Sequence, residues 1–249
     1  MHVHRERFVP DPALSRGEME QLQREVAAEA RFEDDLDCTP AELGRGDALV
    51  AGVDQAFLTN EEPERAVSAI VVLRGDEVVE RTYAVTDLSI PYIPGLLSFR
   101  EGGPILAAFE ELDAEPDAVL FDGSGRIHFR QAGLATHLGV VLDTPAVGVA
   151  KSLLCGHPRS SVDGLPQGAK VAIEADERVD APDGEVVGYA YQSRQYPNAK
   201  SINPLYVSPG HRMSAETAVE AVAACGGDYK LPEPTRLADQ YAAEVKREL

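Results

Sequence analysis

One α/β domain, with helices packed on a β-sheet, is the fold class this sequence predicts, and three observations predict it. The chain has 249 residues, enough to bury roughly 70–75% of its extended surface around one core. Short apolar runs of strand-like composition alternate with segments whose apolar residues recur at helical spacing. One run, DAVLFDGSG at 117 to 125, is apolar almost throughout, as a strand covered on both faces must be.

The elements follow in order. Residues 15 to 33 space Met19, Leu22, Val26 and Ala30 helically behind Ser15, a natural N-cap, so an amphipathic helix opens the chain. A polar loop is expected next. DALVAGVDQAF (47 to 57) reads as a strand carrying Asp54 at its end, and the runs at 66 to 75 and 77 to 85 as two more strands around a tight turn. The core of the domain is expected over about 47 to 227: after these three strands come a helix at 103 to 116, the buried strand at 117 to 125, a helix at 131 to 143 and a strand at 145 to 154. Three strands follow in AKVAIEA, EVVGYAYQS and PLYVSPG, then a helix at 214 to 227 behind Ser214. A last amphipathic helix fills about 234 to 249. No internal repeat or low-complexity segment interrupts residues 1 to 249, which read as a single domain.

Between the third strand and the next helix lies SIPYIPGLLSFREGGP, at 89 to 104. Pro91 and Pro94 each remove a ladder donor and fix φ, which excludes both a buried strand and a helix interior. The segment is therefore a stiff apolar loop that displays Tyr92 and Ile93.

Composition narrows the function. Forty-two acidic against 23 basic residues give a net charge of −19. Only five of the basic residues are lysines, and the acids are spread along the chain, a pattern that suggests the salt-rich cytoplasm of a halophilic prokaryote. In ~1 M salt the Debye length is only ~3 Å, so the global charge does not exclude a polyanion held at a local basic patch. Residues 161 to 190 carry seven acidic and two basic residues and are expected to lie away from it. Cys38, Cys155 and Cys225 are odd in number and widely spaced, against both a disulfide framework and a thiolate zinc site. No apolar run has the length of a membrane span, and the N-terminus lacks the apolar core of a signal peptide, so a cytoplasmic protein is expected.

Carboxylates at the ends of buried strands are poor core material. Asp54 and Asp122 occupy two such ends, and Glu101 leaves the stiff loop. Converging acids repel one another unless a hard cation neutralises them, and Mg²⁺ takes one or two carboxylates plus water and substrate phosphate. Such a site suits hydrolysis of a phosphodiester. Lys151, in GVAKS at the end of a strand, could stabilise charge on a phosphoryl group, while His211 sits in a Pro-Gly turn just before the Ser214 helix. The DGSG turn lacks the Gly-Lys-Ser/Thr of a P-loop, which excludes an NTPase of that class. His137 is expected to pack inside the protein and His2 and His4 to be solvated.

GVDQAF, PYIPGLLSFREGGP, LFDGSGRIH, GVAKSLL, NPLYVSPGHRMS and YKLPEPTRLAD, in this order and spacing, resemble the motifs of the endonuclease V family, the deoxyinosine-specific nucleases. The resemblance runs from about residue 15 to the C-terminus. It implies an RNase H-like fold, with a central mixed β-sheet flanked by helices. It also implies a Mg²⁺-dependent enzyme, with Mn²⁺ as a substitute, that cuts the second phosphodiester 3′ to a deaminated adenine in DNA and leaves 3′-OH and 5′-phosphate ends. Asp54, Asp122 and Glu101 would be the metal carboxylates, with Lys151 and His211 attending the scissile phosphate and the nucleophilic water. Pro91, Tyr92, Ile93 and Pro94 would be the wedge inserted at the lesion. A proline-locked aromatic loses little entropy on insertion and offsets part of the cost of unstacking a base.

By the same resemblance, Leu97, Gly123, Gly125, His128, Gly133 and Leu134 would line the pocket for the flipped base, and glycine there lets backbone approach the base closely. The family's His-Pro-Arg is His128-Phe129-Arg130 here. Arg100, Arg126, Arg130 and Arg212, together with Lys151, are expected to form a local basic groove that contacts the phosphate backbone. A monomer with no obligate protein partner and no membrane contact is expected. Three alternatives stay open: an inosine-specific ribonuclease, a nuclease of branched or flapped structures, and a catalytically silent lesion-binding module.

Overall fold

The computed structural model describes residues 1–60, 62–196 and 202–249. Three strands open the sheet: β1 (Leu49–Leu58), β2 (Arg65–Arg74) and β3 (Glu77–Asp87), paired antiparallel as expected. Gly75 makes the tight β2–β3 turn at φ 59°, a conformation that favours glycine. β4 (Ala118–Asp122) then adds parallel to β1, and β5 (Ala146–Ala150) parallel to β4. β6 (His157–Pro158), β7 (Lys170–Glu174), β8 (Val186–Tyr191) and β9 (Leu205–His211) extend the other edge antiparallel. The order across the nine-stranded sheet is β3-β2-β1-β4-β5-β9-β8-β7-β6.

Strand pleating divides the core between two faces. Ala51, Val53, Val119 and Phe121 point to one face, where they pack under α1 (Arg16–Glu29), α3 (Leu97–Glu110) and α4 (Leu134–Leu142). Val50 and Leu120 point to the other, under α2 (Pro40–Arg45), α5 (Ala215–Ala224) and α6 (Glu233–Glu248). A third cluster, with Ile127, Cys155, Ile173 and Val187, fills the β6–β8 end. This is the expected mixed sheet flanked by helices.

Several boundaries differ from the sequence expectation. The helix expected at 103 to 116 begins at Leu97 and carries Pro104 in its interior. Burial of Phe99, Ile105, Ala108 and Phe109 outweighs the lost hydrogen bond, and Gly102 lets the helix approach Pro10, whose Cγ would be 2.8 Å from an added Cβ. Glu101 therefore sits in the helix and not in the loop before it. The Pro-Gly turn expected at His211 is the end of strand β9. The loop expected after α1 contains α2, announced by a complete capping box between Thr39 and Glu42 and closed by Gly46 at φ 82°. Ser15 and Ser214 cap α1 and α5 as expected.

Candidate active site

Asp54 and Asp122 meet because of register. β1 and β4 run parallel and their last paired residues are Val53 and Phe121, so the next residue on each strand is an aspartate. α3 brings Glu101 to the same two aspartates, Asp122 at the end of β4 and Asp54 within β1, which runs on to Leu58. Asp54, Glu101, Asp122 and Lys151 line one cleft of about 390 Å³ together with Tyr92, Phe57 and Leu134. Lys151 follows β5, parallel to β4, and its Nζ donates to Asp122 Oδ2 at 2.6 Å.

The cleft is acidic, and Asp54 and Glu101 are buried at its base. Asp54 is 8% exposed; its Oδ1 accepts from the Gln55 backbone N–H at 2.6 Å, and its Oδ2 is buried without a hydrogen-bond partner. Burial first, then the charge of Asp122, push its pKa up to about 8. Burial likewise raises Glu101 to about 7, against the pull of Arg100. Burial works against the charge of Lys151, but the bond to Asp122 and the charges of Asp122, Asp54 and Asp239 hold its pKa above the ordinary lysine value. Among the described residues no three carboxylate, imidazole or thiolate side chains form a ready metal cage. The donors available are a few acid oxygens facing an open cleft, the set a strongly hydrated cation uses. The orphaned oxygen of Asp54 fits such a group.

A second pocket, of about 150 Å³, adjoins the cleft and shares Tyr92, Leu97, Gly123, Leu134 and Ala150 with it. His128 and Gly133 line it as well, so five of the six residues expected around a flipped base come together here. Gly125 does not line it. A Cβ there would lie 2.3 Å from the Pro209 carbonyl oxygen, so this glycine serves the packing of the turn on β9. His128 is buried and its pKa is pushed down to about 3, by burial first and then by Arg130. Its Nδ1 accepts from the Arg130 backbone N–H, leaving Nε2 to donate to the Gly95 carbonyl at 3.1 Å. Phe129 packs beside Gly95 and against the third core cluster. Of the four expected wedge residues, Pro91, Tyr92 and Pro94 are exposed, whereas Ile93 is half-buried on Met19, Leu96 and Phe99.

The expected basic groove is not what the four arginines build. Arg100 donates to the Ile90 carbonyl and pairs with Glu64 at 2.9 Å. Arg126 pairs with Glu185 and lies over the Phe32 ring, 4.5 Å from its centroid. Arg130 holds Gln23 and Gly95, and Arg212 holds Asp35 and the Asp143 carbonyl. In so acidic a chain each guanidinium finds a protein acceptor, and of the five basic residues Lys151 is the one that lines the cleft, 52% exposed. His211 is also elsewhere. β9 runs antiparallel to β5, so its last residue pairs with Ala146, at the opposite end of β5 from Lys151. There His211 is fully buried, its Nδ1 accepting from the Arg31 backbone N–H and its Nε2 facing Asp143 at 3.2 Å.

The family model described as Endonuclease V matches residues 26–240. The chain belongs to the Endonuclease V family. It is 65% identical over 246 residues to Endonuclease V of the halophilic archaeon Natronomonas pharaonis, covering 99% of this chain and 98% of the relative. Endonuclease V of Haloarcula marismortui is 58% identical, with 99% and 98% covered. Among solved structures, Endonuclease V of Bacillus subtilis superposes with TM-score 0.82 at 27% identity, over 99% of this chain and 98% of that one. Endonuclease V of Ciona intestinalis, in complex with a 24mer DNA containing an inosine followed by a ribo-adenosine, superposes with TM-score 0.76 at 28% identity, over 93% and 98%.

Two residues of this Endonuclease V chain escape a sequence reading. Asp239, on α6, lies close enough for its charge to act on Asp54 and Lys151, because α6 packs across β1. The motif EPTRLAD contains it, yet nothing in the spacing tells which face of the sheet that helix covers. Gln23 is the other: 1% exposed on the inner face of α1, it lines the second pocket. No helix among the described residues is long and apolar enough to cross a membrane.

Proposed function

We propose that this chain is a metal-dependent endonuclease that recognises deoxyinosine in DNA and hydrolyses the second phosphodiester bond on its 3′ side. The observation that carries the reading is the adjacency of an acidic cleft and a small glycine-lined pocket, with Tyr92 on the boundary of both. A base turned into the second pocket would bring its backbone to the adjoining cleft that Asp54 and Asp122 line.

Asp54, Asp122 and Glu101 would hold a divalent cation, Mg²⁺ or Mn²⁺, and Asp239 adds negative charge nearby. When bound, the cation supplies Lewis-acid polarisation of a phosphoryl oxygen and neutralises the acids. The chain's own groups do the rest. Lys151 presents an ammonium, anchored on Asp122 Oδ2, to charge developing on the phosphoryl oxygens. His128, kept neutral, holds the pocket wall and does not compete for a proton. Tyr92, 63% exposed and braced by prolines on both sides, occupies the gap that the displaced base leaves. His211 has no part in this scheme.

A second reading has one observation behind it. The oligonucleotide held by the Ciona relative carries a ribonucleotide after its inosine, so inosine-containing RNA is the alternative substrate. The test is a panel of matched duplexes carrying one inosine in DNA or in RNA, an unmodified duplex and a flapped duplex, each with Mg²⁺ or chelator. The proposal expects Mg²⁺-dependent cutting of the deoxyinosine strand first. Preferential cutting of the RNA or of the unmodified flap would transfer it to the corresponding alternative.

A further inference from the structure

The loop that carries Tyr92 is fastened at both shoulders. On one side Arg100 donates to the Ile90 carbonyl. On the other, the Gly95 carbonyl accepts from Gln23 Nε2 at 2.9 Å, from His128 Nε2 at 3.1 Å and from Arg130 Nη2 at 3.1 Å. A carbonyl oxygen has two lone pairs, so three donors, one of them a guanidinium, oversubscribe it.

Gln23 is the part of this clamp that ties the rest together. Its Oε1 accepts from Arg130 Nε at 2.8 Å, and its amide also reaches the Ala132 carbonyl at 3.4 Å. One carboxamide thereby joins α1, the wedge shoulder and the far wall of the base pocket. Its neighbours on the inner face of α1, Met19 and Val26, are core residues. If packing were the only task, an apolar side chain would serve there without the cost of burying an amide. Gly95 itself stands at φ 80°, and a Cβ on it would meet Phe129 at 3.0 Å, so the shoulder is packed closely enough against Phe129 to call for glycine.

We propose that Gln23 is a positioning residue for lesion recognition: by holding the Gly95 carbonyl together with Arg130 and His128, it places Tyr92 between the base pocket and the cleft and sets discrimination for inosine. The residue lies outside the stretch matched by the family model, residues 26–240. The inference rests on the wedge and pocket reading given above.

The test uses the full chain, which contains no tryptophan. A Tyr92→Trp background supplies a single indole at the wedge tip, and Gln23→Met or Gln23→Glu is added to it and, separately, to the otherwise unaltered protein. Met removes the amide at similar volume. Glu keeps an acceptor for Arg130 but cannot donate to Gly95, and it covers the case in which the Met variant fails to fold. The expected result is a faster local anisotropy decay of the indole with no loss of global stability. With it, KM for the deoxyinosine strand rises about tenfold and preference over an unmodified strand falls by about the same factor, at a kcat changed much less. Unchanged anisotropy and discrimination in both variants overturn the proposal. So does a parallel fall of kcat, affinity and melting temperature, which would make Gln23 an ordinary structural residue. If the unaltered protein cuts no inosine strand, the proposed function fails instead, and the anisotropy comparison still decides whether Gln23 holds the loop.

Discussion

Asp54 and Asp122 stand side by side on parallel strands, one step beyond the last paired residues, Val53 and Phe121. Nothing in the fold requires acids at either position. The charge of Asp122 raises the cost of ionising Asp54, which keeps one oxygen buried and unpartnered. The pair stores instability that a cation would relieve.

Replacing Asp54 by Asn should therefore stabilise the metal-free protein while abolishing its chemistry. The folded-state pKa of Asp54, about 8, lies above its ordinary value, so the folded form binds the extra proton and the charged form costs stability as pH rises towards 8. At pH 8 Asp54→Asn is expected to gain about 1–3 kcal/mol in chelator by denaturant unfolding. Millimolar Mg²⁺ should stabilise the unaltered protein by mass action and the variant much less.

The positions of Asp239 and His211 give opposite expectations. Asp239→Asn should reduce the single-turnover cutting rate by at least about tenfold, because it removes charge next to Asp54 and Lys151. His211→Gln should lower stability through the lost contacts to Arg31 and Asp143, and leave the rate per folded molecule within a few-fold. The reverse ranking would restore His211 to the site.

Gly52 is where α6 touches the sheet. A Cβ at that position would lie 2.0 Å from the Pro234 carbonyl oxygen, far inside contact distance. Gly52→Ala should push the start of α6 off β1, costing about 1–3 kcal/mol by overpacking, and should displace Asp239 with the helix. Melting temperature and cutting rate are expected to fall together.

Acid should destabilise the fold through its buried imidazoles. His137 is fully buried, accepting from Ser98 Oγ at 2.9 Å and donating to the Phe8 carbonyl at 2.8 Å, and burial pushes its pKa down to about 4. The unfolded value is ~6.5, so the unfolded state binds the extra proton below that pH. The stability this supplies is complete above pH ~6.5 and is lost as pH falls towards the folded value. Between pH 7 and 5 the unaltered protein should lose about 2 kcal/mol more than His137→Asn.

What could be read from sequence was what local chemistry fixes. The Ser15 cap, the β2–β3 turn at Gly75 and the placing of Asp122 at the end of β4 all rest on neighbours in the chain, whereas β1 runs on past Asp54, expected at its end, to Leu58. What could not be read depended on which strand runs beside which. His211 and Lys151 both lie at the ends of strands, and only the antiparallel pairing of β9 with β5 separates them. Arg100, Arg126, Arg130 and Arg212 look like phosphate ligands until distant acids and carbonyls claim them. The helix expected from 103 begins six residues earlier, at Leu97, and only the buried face of α3 shows it. The Thr39–Glu42 capping box is the one missed element whose signal was local.

The most direct measurement is a nicking assay on an end-labelled duplex with one deoxyinosine, at high salt with Mg²⁺, run beside the unmodified duplex and the Asp54→Ala protein. The account predicts a single cut at the second phosphodiester 3′ to inosine, present only with the unaltered protein and the modified strand. Equal cutting of the unmodified duplex would contradict the lesion pocket, and full activity of Asp54→Ala would contradict the acidic cleft as the site of reaction.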